Sequence, residues 1–268
     1  METTATFSGT IPEFYDRYLG PAWFDPYAQD LASRLPVRPG GDVLEIACGT
    51  GLVTNRLRER LDRTVRLVAT DLNDAMLDYA RHKYAGLANV DWKPADALKL
   101  PFPDASFVAT ACGFGIMFVP DPTAALREMR RVLKPSGLLV FNVWDRIESN
   151  PTGLANAQTV EGLYPGDAQV RFRVPFEMYD VAFLRELLRQ AQFRETRIET
   201  KRVTIESSSA RNVAIGQIRG TPRSLLLEKR GAKLDDVIDK VTVALTRVGG
   251  AAPYRAEASA IVIEAVAT

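Results

Sequence analysis

The sequence predicts an α/β protein built on a doubly wound, mainly parallel sheet. Three observations carry this. Residues 43–46 form a short apolar run that breaks at Gly49-Thr50-Gly51, after which Leu52, Val53, Leu57 and Leu61 recur at helical spacing. Strand-like runs then alternate with helical patterns as far as Trp144. An acid, Asp71, stands 71 − 51 = 20 residues beyond the last glycine of the turn, at the end of the next apolar run.

The first strand has the pattern of one buried on both faces. The glycines let the backbone turn sharply and approach a ligand where a β-carbon would clash. The helix start places free N–H groups and a positive dipole end at the same spot. Such a turn at the carboxyl end of a parallel strand is where open α/β sheets bind nucleotides. Residues 65–70 read as the second strand. A carboxylate at its end, Asp71, can accept from both hydroxyls of a ribose. The plainer reading, a turn that only packs a strand on a helix, loses weight once Asp71 is in place.

Asn73 or Asp74 can cap the following helix, whose apolar side holds Met76 and Leu77. Tyr79 and Lys83 have the spacing of a Y-x-x-x-K pair but follow the wrong strand for catalysis, and read as helix surface. His82, the one histidine, reads as solvated. Residues 89–92 form a third strand. Asp96 beyond it could accept from the exocyclic amine of an adenine, or simply hold a turn. Residues 102–107 lead into a fourth strand, 108–112. Phe114 and Phe118 past its end either line a substrate pocket or belong to the core. Asp121 caps a helix over 122–133 with Pro122 at its first position. Lys134-Pro135-Ser136-Gly137 stops that helix, and 138–144 is the fifth strand.

Residues 148–175, rich in Gly, Pro and Asn, predict an irregular crossing segment. A helix over 180–192 and a half-wet strand over 196–206 follow. Residues 207–209 break the strand. Next comes a helical pair, 213–227 (interrupted near Gly220-Thr221-Pro222) and 234–248, and then a last apolar strand over 258–267. Arg219, Arg223, Lys229, Arg230 and Lys233 read as a solvated face. Upstream, Phe14, Tyr15, Tyr18, Trp23, Phe24 and Tyr27 fall at helical spacing interrupted by Gly20-Pro21. They form a helical pair packed on the domain, or turn one or two rings to the ligand as a lid.

Apolar content of 46% and charged content of 25% over 268 residues are those of a globular protein. A net charge of +1 gives no field for nucleic acid or for an anionic membrane, so neither partner is expected. The polar start lacks the pattern of a signal peptide. Two cysteines make neither a disulfide framework nor a metal cluster, so a cytoplasmic chain with no metal is expected. Monomer and homodimer both stay open.

The loop Glu45-Ile46-Ala47-Cys48-Gly49-Thr50-Gly51 resembles the E/D-x-G-x-G-x-G loop of S-adenosylmethionine-dependent class I methyltransferases, with Ala47 in place of the first glycine. Ala95-Asp96-Ala97-Leu98-Lys99-Leu100-Pro101-Phe102-Pro103-Asp104-Ala105-Ser106-Phe107 is similar to the family's D-A-x-x-L-P-F-x-D-x-S-F-D region, with Val108 replacing its last acid. The stretch from Leu126 through Glu128 to Arg131-Val132-Leu133-Lys134-Pro135-Ser136-Gly137 resembles its L-x-E-x-x-R-V-L-K-P-G-G helix. The nearest look is to small-molecule enzymes of the ubiquinone and menaquinone biosynthesis type.

The resemblance implies a Rossmann-like seven-stranded sheet, mostly parallel, with the last strand antiparallel. It implies an N-terminal helical lid (1–40), a cofactor-binding domain (41–205) and a helical cap insertion (206–256) before the final strand of that domain (257–268). It also implies S-adenosyl-L-methionine as cofactor, S-adenosyl-L-homocysteine as product and a small-molecule acceptor. Carried over by residue, Glu45, Ala47, Cys48, Gly49, Thr50 and Gly51 would hold the methionine part, with Thr54 at the third glycine position of a dinucleotide loop counted with them. Asp71 would bind the ribose. Leu72 and Met76 would flank the adenine, and Asp96 with Ala97 would meet its amino edge. Cys112 and Gly113 would border the sulfonium. Tyr18, or Tyr15, would cover the methionine carboxylate. Phe114 and Phe118 are the candidate substrate contacts; no catalytic residue is assigned, and the acceptor atom (O, N or C) stays open. Two rivals are a nucleotide-dependent oxidoreductase on the same architecture, against which Thr54 counts, and a catalytically idle cofactor-binding protein.

Overall fold

A computed structural model describes residues 9–38, 40–170 and 173–268. Residues 1–8 and 39 of the expected lid, and residues 171 and 172 of the expected crossing segment, lie outside the described residues. The chain opens with a one-turn helix α1 (Ile11–Phe14), which runs on into a π-helix, Tyr15–Phe24, and then into α2 (Asp25–Ser33). The interruption expected at Gly20-Pro21 is absent. The wide π turn carries Pro21 inside it, and the Asp25 N–H reaches back five residues to the Gly20 carbonyl.

Strand β1 (Val43–Ile46), helix α3 (Leu52–Arg60), β2 (Leu67–Asp71), α4 (Asp74–Lys83), β3 (Val90–Pro94), β4 (Phe107–Gly113), α5 (Pro122–Val132) and β5 (Leu133–Trp144) follow in alternation. Helix α6 (Pro151–Leu163), α7 (Val181–Gln190) and β6 (Phe193–Ser207) come next. Then α8 (Ala210–Arg219), α9 (Arg223–Lys229) and α10 (Leu234–Gly249) precede β7 (Tyr254–Ala267). The sheet has seven strands in the order β3-β2-β1-β4-β5-β7-β6. Strand β7 runs antiparallel to both neighbours, and the pairings from β3 through β5 are parallel.

Alternation along the strands feeds two cores. Val43, Leu67, Ala109, Ala111 and Val140 pack with Leu31 and Leu35 of the α2 segment and Leu57 of α3. Leu44, Val68, Leu139 and Phe141 pack with Leu126 and Met129 of α5 and Leu184 and Leu188 of α7. Each central strand is covered on both faces, as a parallel sheet requires.

Three local expectations are corrected. Helix α6 lies where an irregular segment was expected. Its buried positions are Thr152, Gly153, Asn156, Ala157 and Val160, so its inward face is small and polar and carries no apolar period. Strand β5 begins at Leu133 rather than after Gly137. The ladder to β4 shifts register between Phe107 and Ala109, and Ser136 takes a φ of +62° in the bulge. The insertion before β7 holds three helices rather than two, because Gly220-Thr221-Pro222 ends one helix and starts another. No helix among the described residues is long and apolar enough to cross a membrane.

Candidate functional site

The site begins where the strand order reverses, with β1 between β2 and β4. In the turn after β1, Ala47, Gly49 and Gly51 have φ of +56°, +56° and +81°. The left-handed region costs a residue with a β-carbon about 1–2 kcal/mol, so Ala47 is held there by its surroundings. Across from it a β-carbon on Gly115 would stand 2.3 Å from the Ala47 β-carbon. Gly115 is what leaves room for Ala47.

Asp71 ties this turn to the next helix. Its Oδ2 accepts from the Gly49 N–H at 2.8 Å, and its Oδ1 from the Asn73 N–H at 2.8 Å. Each oxygen keeps a further lone pair. Burial pushes this carboxyl up, while the N–H bonds from Asn73 and Gly49 pull it down. The cap of α4 is Asn73, whose Oδ1 accepts from the Met76 N–H at 3.1 Å. Asp71 is therefore free of the capping role.

A cavity of about 450 Å³ opens at this edge. Of the sequence candidates, Ala47, Gly49, Asp71, Leu72, Met76, Asp96, Ala97, Gly113, Phe114 and Phe118 line it. Leu72 is an apolar side chain 55% exposed at the cavity. Tyr18, Glu45, Cys48, Thr50, Gly51, Thr54 and Cys112 do not line it. Gly51 starts α3, and a β-carbon there would strike Tyr84, Ala80 and Trp92, so its part is packing. Glu45, Thr50 and Thr54 are buried beneath the turn, and one Glu45 carboxyl oxygen, Oε2, has no hydrogen-bond partner. Burial pushes Glu45 up to about 8. The thiols of Cys48 and Cys112 are free and buried, and burial pushes Cys112 up to about 12. Tyr18 stacks on Phe14 instead, with ring centres 6.0 Å apart.

Further residues line the cavity, among them Tyr15, Trp23 and Phe24 of the upstream aromatics that the sequence left open between packing and lid. Tyr15, Leu19, Trp23 and Phe24 project from the π-helix, whose period turns residues four and five apart to one side. Trp144 ends β5 at the same edge as the turn. Its ring stacks on Phe114 with centres 4.1 Å apart and planes 21° apart, and Phe24 meets both rings. Phe176 reaches Trp144 across Gly153, where a β-carbon would lie 2.7 Å from its ring. From the insertion come Gln217, Thr221 and Arg223. Arg223, expected on a solvated face, is 3% exposed; the insertion folds back over the cavity and takes it inside.

The two other motif stretches meet behind the cavity. Glu128 Oε2 accepts from the Leu100 N–H at 2.9 Å. Arg131 donates to the carbonyls of Leu100 and Phe102 and to Asp104. One acid and one arginine of α5 thus clamp the loop that follows Asp96 and Ala97. The clamp fixes the wall that carries Asp96 and Ala97, and its own residues do not line the cavity.

Residues 44–141 match the model of the methyltransferase domain family. A demethylmenaquinone methyltransferase of Staphylococcus epidermidis is 34% identical over 142 residues, covering 52% of this chain and 59% of that protein. The chain thus spans less than two-thirds of that relative's length. Among solved structures, an S-adenosylmethionine-dependent methyltransferase from Aquifex aeolicus superposes with a TM-score of 0.54 at 16% identity, covering 97% of each chain. A geranyl diphosphate methyltransferase in complex with its diphosphate and sinefungin gives 0.53 at 15%, covering 91% of this chain and 77% of that one. Residues 44–141 thus match a methyltransferase domain, and the seven-stranded fold around them is the one that these methyltransferase structures share.

Proposed function

We propose that this protein transfers a methyl group from S-adenosylmethionine to a small, partly aromatic molecule. The observation that carries this is one continuous cavity: Asp71 and Asp96 stand at its sheet edge, the glycine turn forms its floor, and Phe114 and Trp144 form an aromatic wall beyond. The residues fit the cofactor. Gly49 faces the cavity with nothing within 4 Å of where a β-carbon would stand, which is the close approach a ligand needs. Asp71 keeps lone pairs for two ribose hydroxyls, Leu72 and Met76 offer apolar sides to an adenine, and Asp96 and Ala97 stand at its amino edge. Gly113 borders the sulfonium. Ala47 and Gly49 meet the methionine part. Glu45, Cys48, Thr50, Gly51, Thr54 and Cys112 support that turn from behind, and Tyr15 takes the covering role that Tyr18 would otherwise have.

When bound, the cofactor supplies a methyl that is already electrophilic. The chain's own task is then position: Phe114, Phe118 and Trp144 hold the acceptor so that its nucleophile stands in line with the methyl at roughly 3–3.5 Å. Residues 1–40 act as a lid and 206–256 as a cap, a reading supported by Trp23 and Phe24 on one side of the cavity and Gln217 and Arg223 on the other. Closing over the site excludes water. Two buried free thiols suit a reducing, cytoplasmic setting.

Calorimetric titration with S-adenosylmethionine, followed by methyl transfer from labelled cofactor to a panel of aromatic acceptors, tests the proposal. Binding with transfer to at least one acceptor is expected. Absence of cofactor binding by folded protein would overturn it.

A further inference from the structure

The cavity's two ends differ in charge. Asp71 and Asp96 mark the sheet edge. On the cap side, among the described residues that line the cavity, Arg223 carries the one positive charge. It is 3% exposed, and its Nη1 donates to the Asn156 Oδ1 at 3.1 Å. Burial pushes its guanidinium down to about 10, which leaves it protonated at neutral pH, and Glu161 is the acid that acts on it. Glu161 is itself gripped by Arg173 through two hydrogen bonds, of 2.8 and 2.7 Å. A buried, charged guanidinium in a cavity wall favours an occupant that brings negative charge to it.

Two more lining side chains point the same way. Trp23 and Gln217 are 5% and 6% exposed, and the Trp23 indole N–H and the Gln217 Oε1 have no hydrogen-bond partner. Buried polar atoms left so are costly. An occupant with a polar head at the cap side offsets that cost. The indole can only donate, the guanidinium can only donate, and the glutamine amide can present either of its ends. A head that accepts hydrogen bonds and carries negative charge satisfies this set best, and a planar carboxylate matches the guanidinium fork. The body of the occupant lies against Phe114, Trp144 and Phe176.

We propose that the methyl acceptor is an aromatic acid, its ring against the Phe114–Trp144 stack and its carboxylate held by Arg223 under the cap. This rests on the methyltransfer reading for the word acceptor, but the anion site stands on its own observations. Two planar probes of matched shape separate the cases: 2-naphthoate and the neutral 2-naphthamide. Each is titrated by calorimetry into the full chain, with and without S-adenosylhomocysteine, for the parent, Arg223→Met and Arg223→Lys, with melting curves to confirm folding. The parent should bind naphthoate about tenfold or more tighter than naphthamide, the difference one charge-assisted bidentate contact makes. Arg223→Met should abolish that preference, and Arg223→Lys should keep part of it. S-adenosylhomocysteine affinity should stay within about threefold in all three. If Arg223→Met does not fold, unchanged naphthoate affinity in Arg223→Lys overturns the proposal. Equal binding of the two probes by the parent overturns it as well. So does a large loss of S-adenosylhomocysteine affinity in Arg223→Met with the naphthoate preference intact, which would assign the guanidinium to the cofactor's own carboxylate. A parent that binds naphthoate selectively but no cofactor would keep the anion site and remove the methyltransfer reading.

Discussion

Lys83 Nζ stands 2.6 Å from Asp16 Oδ1, and the Tyr79 hydroxyl donates to the other oxygen of the same carboxylate at 3.0 Å. The Y-x-x-x-K spacing on α4 therefore has a use: it latches the π-helix that carries Tyr15, Trp23 and Phe24. Asp16 is 9% exposed, and these two partners satisfy both of its carboxylate oxygens. Lys83→Met should lower stability by about 1–2 kcal/mol and speed hydrogen exchange over residues 15–24, since a buried charge loses one partner and keeps another. A double-mutant cycle with Asp16→Asn should show coupling of about 1 kcal/mol. Additive effects would mean that no latch exists.

Asp71→Ala removes the acceptor for Gly49 and Asn73 as well as the proposed ribose ligand. S-adenosylmethionine binding should weaken by roughly 30- to 1000-fold, the equivalent of about 2–4 kcal/mol. Asp71→Asn should fall between parent and alanine. Calorimetry together with melting curves checks this. A variant that melts lower yet binds cofactor like the parent would reduce Asp71 to a tie between turn and helix.

Glu45 gives the molecule a pH signature. Its folded value of about 8 lies above an ordinary glutamate's 4.5, so the folded state favours the proton. The stabilisation is complete below about pH 4.5 and is lost as pH rises towards 8. Glu45→Gln lacks this titration. Its stability relative to the parent should therefore grow between pH 5 and 8, by at most about 1.4 kcal/mol per pH unit. Unfolding at three pH values measures it, and a constant difference would place the Glu45 titration elsewhere.

The strained turn offers a rescue experiment. Ala47→Gly should stabilise by up to about 1 kcal/mol, because it removes a β-carbon from a left-handed residue. Gly115→Ala should destabilise by more than 1 kcal/mol through the 2.3 Å approach to the Ala47 β-carbon. The double variant should recover much of that loss. Melting temperatures of the four proteins decide, and failure of rescue would point instead to the Cys112 thiol, 3.0 Å from the same position.

His82 is exposed on α4 and does not line the cavity. His82→Ala should keep most of the proposed methyl-transfer activity, whereas losing a general base costs about 10²–10⁴-fold. Initial rates of the folded variant test it; a drop of that size would move the site.

The sequence alone determined the parts whose geometry is local. A glycine turn after an apolar strand, an acid at the next strand's end and alternating periods needed no tertiary information, because backbone sterics and the pleat dictate them. The cap Asp121 was legible for the same reason, and the cap of α4 was narrowed to Asn73 or Asp74, of which the structure uses Asn73. Tertiary structure alone decided the rest. Helix α6 buries small and polar residues, so burial left no period to read. The π-helix was hidden because residues four and five apart look like a broken α-helix until the chain shows its hydrogen bonds. Tyr79 and Lys83 gained their partner from a residue over sixty positions away. Arg223 looked like one of a run of exposed cations, and only the folding of the insertion onto the π-helix took it inside. That approach depends on Gly216 and Gly220 of α8 and its end, where β-carbons would stand 2.7 Å from Leu19 and from the Tyr15 backbone nitrogen. Contacts of this kind join segments about two hundred residues apart, and no local pattern encodes them.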